Sequence, residues 1–251
     1  MTHKINRFNN TCMWLISNKT SVRESGLLDG FRDVHCHLLP AVDDGVRHAD
    51  ETMRILKAWA SLGVSEVWLT PHVMEDIPNK PSELQGRFGQ FTSLYAGTVT
   101  LHLAAEHMLD GLFAGRLAED DVLPVGKEGD RLLVETSYYI PPINMEEMME
   151  RIRRQGYEPI LAHPERYQYM DFADCRRWKD KGVLLQLNVP SLVGAYGAEV
   201  QAKARKLLDG GMYDYCGTDT HSQDQMECFL DSMIDKRTVR KVRRLSDAQQ
   251  L

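Results

Sequence analysis

The sequence lacks the features that mark a membrane-spanning, exported or disulfide-bonded protein. A transmembrane helix needs about 20 mostly apolar residues, and the 251-residue chain contains no such run. The apolar stretch at residues 12–16 has five residues, whereas the apolar core of a signal peptide needs about 7–15. The five cysteines include no Cys-x-x-Cys pair, which argues against a disulfide framework and against a cysteine-rich zinc site. We therefore expect a cytoplasmic protein with reduced thiols and no transmembrane segment.

Signals for nucleotide or nucleic-acid binding are also missing. The chain contains no Gly-x-x-x-x-Gly-Lys-[Ser/Thr] loop and no Gly-x-Gly-x-x-Gly turn after a strand, so a nucleotide cofactor is poorly supported. The net charge is −6, and an acidic chain is a poor match for phosphate backbones, so we predict no nucleic-acid partner. Six of the basic residues lie within residues 236–244. We interpret 236–251 as a basic, solvated C-terminal tail, with an acidic partner or an anionic membrane surface as the alternative.

From residue 31 onward the sequence alternates short apolar runs with amphipathic helical stretches. The runs predict seven strands, at residues 31–35, 64–70, 99–106, 131–136, 159–163, 183–188 and 213–218. Repeated strand–helix units are typical of an α/β protein with a parallel sheet. We predict a closed or nearly closed βα barrel, with an open doubly wound sheet as the alternative. The methionine-rich stripe at residues 145–149 is interpreted as core filling, and residues 1–26 as an N-terminal extension.

Metal-ligating residue types follow six of the seven predicted strands. They are His35, His37, His72, Glu106, Glu135, His163, Asp219 and His221. In βα barrels the carboxyl ends of the strands form the catalytic face, and imidazole with carboxylate, without thiolate, suits zinc, manganese or iron. The segment Asp43-Asp44-Gly45 is either a plain turn or part of a further metal site. The other four histidines lack this placement and are interpreted as structural or surface residues: His3, His48, His102 and His107.

Several short motifs resemble those of the polymerase and histidinol phosphatase (PHP) superfamily over residues 27–235. They are His35-Cys36-His37-Leu38-Leu39-Pro40, Asp43-Asp44-Gly45, Thr70-Pro71-His72, Glu106, Glu135, Ala162-His163-Pro164-Glu165-Arg166 and Asp219-Thr220-His221. Within that superfamily the chain resembles the manganese-dependent tyrosine phosphatases encoded with bacterial capsule and exopolysaccharide machinery. The resemblance implies a distorted seven-stranded (β/α)7 barrel as the fold of the domain at 27–235.

The resemblance also implies a set of ligands for two or three divalent ions. Mn²⁺ is the expected metal, and Fe, Zn, Co and Mg are alternatives. The implied first site is His35, His37, Glu106 and Asp219, the second is Glu106, Glu135 and His163, and the third is Asp44, His72 and His221. Arg166 falls where the family places a phosphate-binding arginine. The proton donor stays open between Asp44 and a metal-bound water. Some relatives carry another arginine after the Asp-x-His motif, but residues 222–226 contain none.

The function implied is hydrolysis of phosphotyrosine on a protein, the expected partner being the tail of a bacterial tyrosine kinase. A metal lowers the pKa of a bound water to about 7 and so supplies hydroxide as the nucleophile. The cysteine-dependent phosphatase mechanism is disfavoured because no cysteine has an arginine six positions later. Three alternatives stay open: another PHP phosphoesterase acting on histidinol phosphate or another phosphomonoester, a metal-dependent amidohydrolase, and a catalytically weak module that binds phosphotyrosine. Whether the protein is a homo-oligomer also stays open.

Overall fold

Short parallel strands, most of them followed by a helix, make up the fold in the order that the sequence predicts. The computed structural model describes residues 18–249. The strands are β1 (Lys19–Ser21), β2 (Arg32–Cys36), β3 (Glu66–Leu69), β4 (His72–Val73), β5 (Thr100–Leu103), β6 (Glu106–Met108), β7 (Arg131–Glu135), β8 (Glu158–Ala162), β9 (Leu184–Asn188), β10 (Tyr215–Gly217) and β11 (Met233–Asp235). The helices are α1 (Ala49–Ser61), α2 (Pro81–Leu94), α3 (Phe113–Ala118), α4 (Met145–Arg154), α5 (Phe172–Asp180), α6 (Ala198–Asp209), α7 (Gln223–Asp231) and α8 (Lys236–Ala248).

The parallel strands form a curled sheet in two pieces. One piece has six strands in the order β10-β9-β8-β7-β6-β4, and the other has three in the order β2-β3-β5. Where β2 meets β10, backbone contacts join the pieces: the Asp219 amide donates to the His35 carbonyl at 2.7 Å, and the His37 amide donates to the Thr220 carbonyl at 2.9 Å. The mixed α/β class with a parallel sheet is confirmed. A closed barrel of seven continuous strands is not.

Breaks at the ends of two predicted strands divide the parallel strands between two sheets. β3 ends within the run at 64–70, and β4 begins at His72, beyond that run and after Pro71, which has no amide hydrogen for a ladder. The run at 99–106 ends as β5 and resumes as β6. Because β3 pairs with β5 while β4 pairs with β6, the chain changes sheet at both points. His72 and Glu106 are register partners just beyond the change, so they begin new strands instead of ending old ones.

Apolar side chains pack on both faces of the sheet. Inside the curl lie Val34, Trp68, Leu133, Ile160 and Tyr215, among others, and the larger cluster lies between the strands and the outer helices. The methionine stripe of α4 is buried, which confirms that it fills the core. No helix within residues 18–249 has the length and apolarity needed to cross a membrane.

The segments expected as extensions contribute to the fold where the structure describes them. The prediction for residues 1–17 lies outside the described residues, but β1 pairs antiparallel with β11. Residues 236–248 form α8, with Val239 and Val242 buried, and this differs from the solvated tail that the charge run indicated. The apolar residues of α8 are few but lie three apart, on one face of the helix. Gln249 then donates to the Arg32 carbonyl at 2.6 Å.

Candidate metal centre

Four predicted ligands meet where β2, β6 and β10 converge. The Nε2 atoms of His35 and His37 are 3.2 Å apart. Each lies 3.2–3.3 Å from Oε2 of Glu106 and 3.2–3.4 Å from Oδ1 of Asp219. All four side chains are buried. The first implied group is therefore brought together by the fold.

A second group contains His72, Glu106 and Glu135. Nδ1 of His72 lies 3.1 Å from Glu106 Oε2 and 3.0 Å from Glu135 Oε1. His163, which the resemblance assigned to this group, lies beside it: its Nε2 is 3.0 Å from Glu106 Oε1 and 3.9 Å from Glu135 Oε2. Glu106 is thus a member of both the first group and the second group.

A third group lies nearer to solvent and contains His37, Asp44, His72 and His221. Asp44 Oδ1 is 3.6 Å from Nε2 of both His72 and His221. The Asp44 side chain is 64% exposed, whereas the buried groups lie deeper. The implied ligands Asp44, His72 and His221 therefore lie within one group. His37 also belongs to this group, although the resemblance did not assign it to the third site.

The spacing of these atoms fits bound cations better than it fits hydrogen bonds. A tetrahedral ion with ligands about 2.0–2.1 Å away would separate its ligand atoms by about 3.3 Å. Buried polar atoms normally have hydrogen-bond partners, yet His72 Nδ1, Glu106 Oε2 and Glu135 Oε1 have none among the described residues. These atoms lie close together without forming hydrogen bonds of good geometry, as ligands of a shared cation do.

Two buried side chains orient the imidazoles, a role that the sequence analysis did not assign to either of them. Oδ2 of Asp43 accepts from Nδ1 of His37 at 2.9 Å and from the backbone amide of His72 at 3.0 Å. Oε1 of Gln186 accepts from Nδ1 of His35 at 3.0 Å. A hydrogen on Nδ1 leaves the Nε2 lone pair of each ring for a cation. The sequence signals were the Asp-Asp-Gly segment just after His-x-His and the polar Gln186 between the leucines of β9.

The backbone is unusual where it presents these ligands. His163 has φ +33° and Asp219 has φ +52°, which lie in the left-handed region that non-glycine residues rarely occupy. Gly45 permits the tight turn after Asp43, since a β-carbon there would lie 2.2 Å from the His37 carbonyl oxygen. Such geometry persists where surrounding contacts hold it in place, and it is common at functional sites.

Comparison with known proteins shows the family to which the chain belongs. The family model described as "Capsular polysaccharide synthesis, CpsB/CapC" matches residues 31–244. The chain belongs to the CpsB/CapC family. The tyrosine-protein phosphatase YwqE of Bacillus subtilis is 25% identical over 196 residues, covering 76% of this chain and 77% of the relative. The putative tyrosine-protein phosphatase CapC of Staphylococcus aureus is 24% identical over 220 residues, covering 83% and 84%.

A solved structure shares the fold of this CpsB/CapC family member. It comes from work on YwqE from Bacillus subtilis and CpsB from Streptococcus pneumoniae, described as unique metal-dependent tyrosine phosphatases. The TM-score is 0.72 at 22% identity, covering 84% of this chain and 85% of that one. The resemblance found in the motifs is thereby confirmed.

In this CpsB/CapC chain, Arg166 lies beside the first group and contacts one of its members. Nη1 of Arg166 donates to Asp219 Oδ2 at 2.6 Å, and the side-chain Nδ2 of Asn188 donates to the same oxygen at 3.1 Å. The guanidinium carbon lies 4.4 Å from the centre of the Tyr138 ring and 4.3 Å from that of Tyr196. An arginine held between two rings and a carboxylate has little freedom to move, so its remaining N–H groups point in fixed directions.

The segment after the Asp-x-His motif contributes a glutamine to the site. Gln225 Oε1 accepts from the His221 backbone amide at 2.6 Å, and its Nε2 donates to the Asp219 carbonyl at 3.3 Å. These bonds hold the turn that presents both ligands. Residues 222–226 therefore support the ligands without adding a positive charge.

Charge interactions at the centre favour ionised groups in spite of burial. Burial alone lowers the pKa of His35, but the carboxylates of Glu106 and Asp219 outweigh it and raise that pKa to about 9. Burial alone raises the pKa of Glu106, but the neighbouring imidazoles hold it well below its ordinary value. The centre therefore binds positive charge, as protons or as cations, and the two compete.

The cysteines play no part in this arrangement where the structure describes them. Cys36 lies between two ligands in sequence, but its thiol is buried and donates to the Trp68 carbonyl at 3.3 Å. Burial raises the pKa of the Cys36 thiol well above its ordinary value, so it stays protonated. Cys36 is thus a core residue and not a nucleophile or ligand.

Proposed function

We propose that this protein is a metal-dependent tyrosine-protein phosphatase that hydrolyses phosphotyrosine on a partner protein. The observation that carries the proposal is Glu106, whose buried carboxylate is shared by adjoining groups of imidazole and carboxylate ligands. Adjacent cations are an established means of clamping the oxygens of a phosphoryl group. The names of the curated relatives support tyrosine phosphate as the substrate.

We assign the cation ligands from the resemblance and the atoms that meet at the strand ends. The proposed ligands are His35, His37, Asp44, His72, Glu106, Glu135, His163, Asp219 and His221. Mn²⁺ is the proposed metal, with Fe, Zn, Co and Mg as alternatives. Cations bound there supply concentrated positive charge and a water of much lower pKa than bulk water.

The protein's own residues orient the substrate and the ligands. Glu106 and Asp219 hold negative charge at fixed positions, and Asp43 and Gln186 fix the rings that face them. Arg166 donates to a phosphoryl oxygen through N–H groups that do not bond Asp219, since a guanidinium has five N–H groups. The phenolate leaving group, with a parent pKa of about 10, needs little help from an acid. Asp44, exposed at the mouth, is proposed to donate a proton to the leaving oxygen from its carboxylic-acid form.

The wider setting is also part of the proposal. The partner is a phosphotyrosine-bearing protein, namely the tail of a bacterial tyrosine kinase of capsule or exopolysaccharide assembly. The compartment is the cytoplasm, where thiols stay reduced. The two pieces of sheet are proposed to act as one distorted barrel of seven strand–helix units, supported by the backbone bonds between β2 and the turn after β10.

The test of the function is substrate preference in the presence of Mn²⁺. Hydrolysis of a phosphotyrosine peptide should exceed that of the matching phosphoserine peptide and of histidinol phosphate in kcat/KM. A preference for histidinol phosphate would replace the proposal with another PHP activity. Tight binding of the phosphotyrosine peptide without turnover would replace it with a binding module.

Replacing Asp43 by Asn is expected to weaken cation binding. The amide keeps the size of the carboxylate but offers a weaker acceptor to Nδ1 of His37, and loss of such outer contacts costs about 10–100-fold in metal affinity. Mn²⁺ titration of the metal-free protein measures the change. Asp76→Asn, on an aspartate outside the ligand groups, is the control, and equal affinities for both variants would contradict the role of Asp43.

Replacing Arg166 by Lys or Ala is expected to lower kcat/KM for a phosphotyrosine peptide by about 10²–10³-fold, as loss of a donor to a transition-state oxygen does. An ammonium cannot hold Asp219 and a phosphoryl oxygen in one planar fork. The measurement is made at saturating Mn²⁺, with metal content determined for each variant. A loss under about threefold in both, with unchanged metal content, would limit Arg166 to a structural ion pair.

A further inference from the structure

A loop of exposed apolar residues lies at the mouth of the candidate centre. This rim loop, residues 137–144, follows β7 directly after Glu135 and Thr136. Tyr138 faces inward, with its ring centre 5.8 Å from that of His163 and 4.4 Å from the Arg166 guanidinium. The Tyr138 carbonyl accepts from the Gln168 amide at 2.8 Å. The base of the rim loop is therefore part of the wall of the centre.

Beyond Tyr138 the rim loop points apolar side chains into solvent. Tyr139 is 69% exposed, Ile140 is 72% exposed and Ile143 is fully exposed. Pro141 and Pro142 separate them and restrict the backbone. Adjacent exposed apolar side chains commonly mark an interaction surface, and a stiff loop loses little conformational freedom when it is covered.

Two hollows border the rim loop, and the charged side chains that line them carry little net charge. One, of about 490 Å³, lies between the rim loop and the turn after β6, and the other, of about 320 Å³, lies towards α5. Their acidic side chains are already paired: Asp110 with Arg116 at 2.7 Å, Asp174 with Arg177, and Glu146 with Lys181. What remains for a partner is apolar contact with Ile140, Ile143 and the prolines.

We propose that the rim loop is the docking surface for apolar residues that flank the phosphotyrosine in the substrate. The inference rests on the proposed function, because a phosphotyrosine reaching the buried ligands leaves its neighbouring residues at the mouth. The rim loop is continuous with that mouth through Tyr138. Its contacts are apolar and its nearby charges are paired, so it selects aliphatic or aromatic neighbours over charged or small polar ones.

The test compares two phosphotyrosine peptides and a substrate without flanking residues. The peptides differ only in having leucine or serine on both sides of the phosphotyrosine, and the third substrate is p-nitrophenyl phosphate. For the double variant Ile140→Ser with Ile143→Ser, kcat/KM on the leucine peptide should fall by about tenfold, chiefly through KM. Rates on the serine peptide and on p-nitrophenyl phosphate should stay within about twofold of the unaltered protein. Leu94→Ser, at an equally exposed residue that ends α2, is the control and should change none of the three.

Each other outcome overturns the proposal in a distinguishable way. Equal hydrolysis of both peptides by the unaltered protein removes the selectivity but leaves the phosphatase function intact. A parallel fall on p-nitrophenyl phosphate assigns the rim loop to the chemistry itself. Unchanged peptide preference together with loss of self-association, measured by sedimentation, assigns the rim loop to a second copy of the chain. Absence of phosphotyrosine hydrolysis in the unaltered protein removes the proposed function as well.

Discussion

Chelation of divalent cations is expected to lower phosphotyrosine hydrolysis by at least about 10³-fold, since the cations supply most of the positive charge for the reaction. Without them, only the neighbouring imidazoles offset the buried carboxylates Glu106, Glu135 and Asp219, and Arg166 is already paired with Asp219. Adding Mn²⁺ back should restore the rate. The measurement is hydrolysis before chelation, after it and after Mn²⁺ addition, with metal content determined at each stage.

A thiol-directed control separates this expectation from cysteine chemistry. Alkylation of accessible thiols and the variant Cys36→Ser should leave the metal-loaded activity largely intact, because the Cys36 thiol is buried and protonated. A chelated, metal-free protein that still hydrolyses the peptide at its original rate would refute metal dependence. So would a Cys36→Ser variant that keeps its metal and its fold but loses activity.

The variant Glu106→Gln is expected to lose both cation binding and turnover. Oε2 of Glu106 lies 3.1–3.3 Å from ring nitrogens of His35, His37 and His72, so one carboxylate serves two groups. An amide presents either a neutral oxygen or an N–H group to those atoms and would be a much weaker cation ligand than a carboxylate. We expect kcat/KM for the peptide to fall by at least about 10³-fold, more than for removal of a single oxyanion donor. Metal analysis of the purified variant should show fewer ions per chain.

Glu66→Gln is the matched control for this substitution. Glu66 also pairs with a histidine, His102, at 2.9 Å, but at the start of β3 and outside the three groups. The activity and metal content of the Glu66→Gln variant should match those of the unaltered protein. Near-normal turnover and metal content in Glu106→Gln would contradict the assignment, whereas thermal unfolding of both variants shows whether either change acts by destabilising the fold.

The sequence predicted most of the strand positions, because a strand buried on both faces appears as a short apolar run with a polar end. It also predicted which residue types would follow those strands. It did not predict the breaks after Leu69 and Leu103. The run at 99–106 stays apolar between Leu103 and Glu106, where β5 ends and β6 begins. The break is visible only in the strand pairing, because β5 pairs with β3 and β6 pairs with β4.

The docking of α8 was hidden for a related reason. Its six basic residues dominate the composition of residues 236–244, while Val239 and Val242 provide the contact with the body of the protein. Composition averages over a helix, whereas packing depends on one face of it. Likewise, an Asp-Gly turn does not reveal that Asp43 will accept a hydrogen bond from His37.

The sequence by itself determined the class of fold, the chemical types of the ligands and the absence of a nucleophilic cysteine motif, because each depends on local pattern or on identity. Only the tertiary structure decided which atoms meet. His72 is shared between two groups, Glu106 is placed within reach of four imidazoles, and Arg166 is bound to Asp219 between Tyr138 and Tyr196. These distances arise where strands far apart in sequence converge, and a contact between distant residues is set by the packing of the whole sheet and not by the residues near either partner.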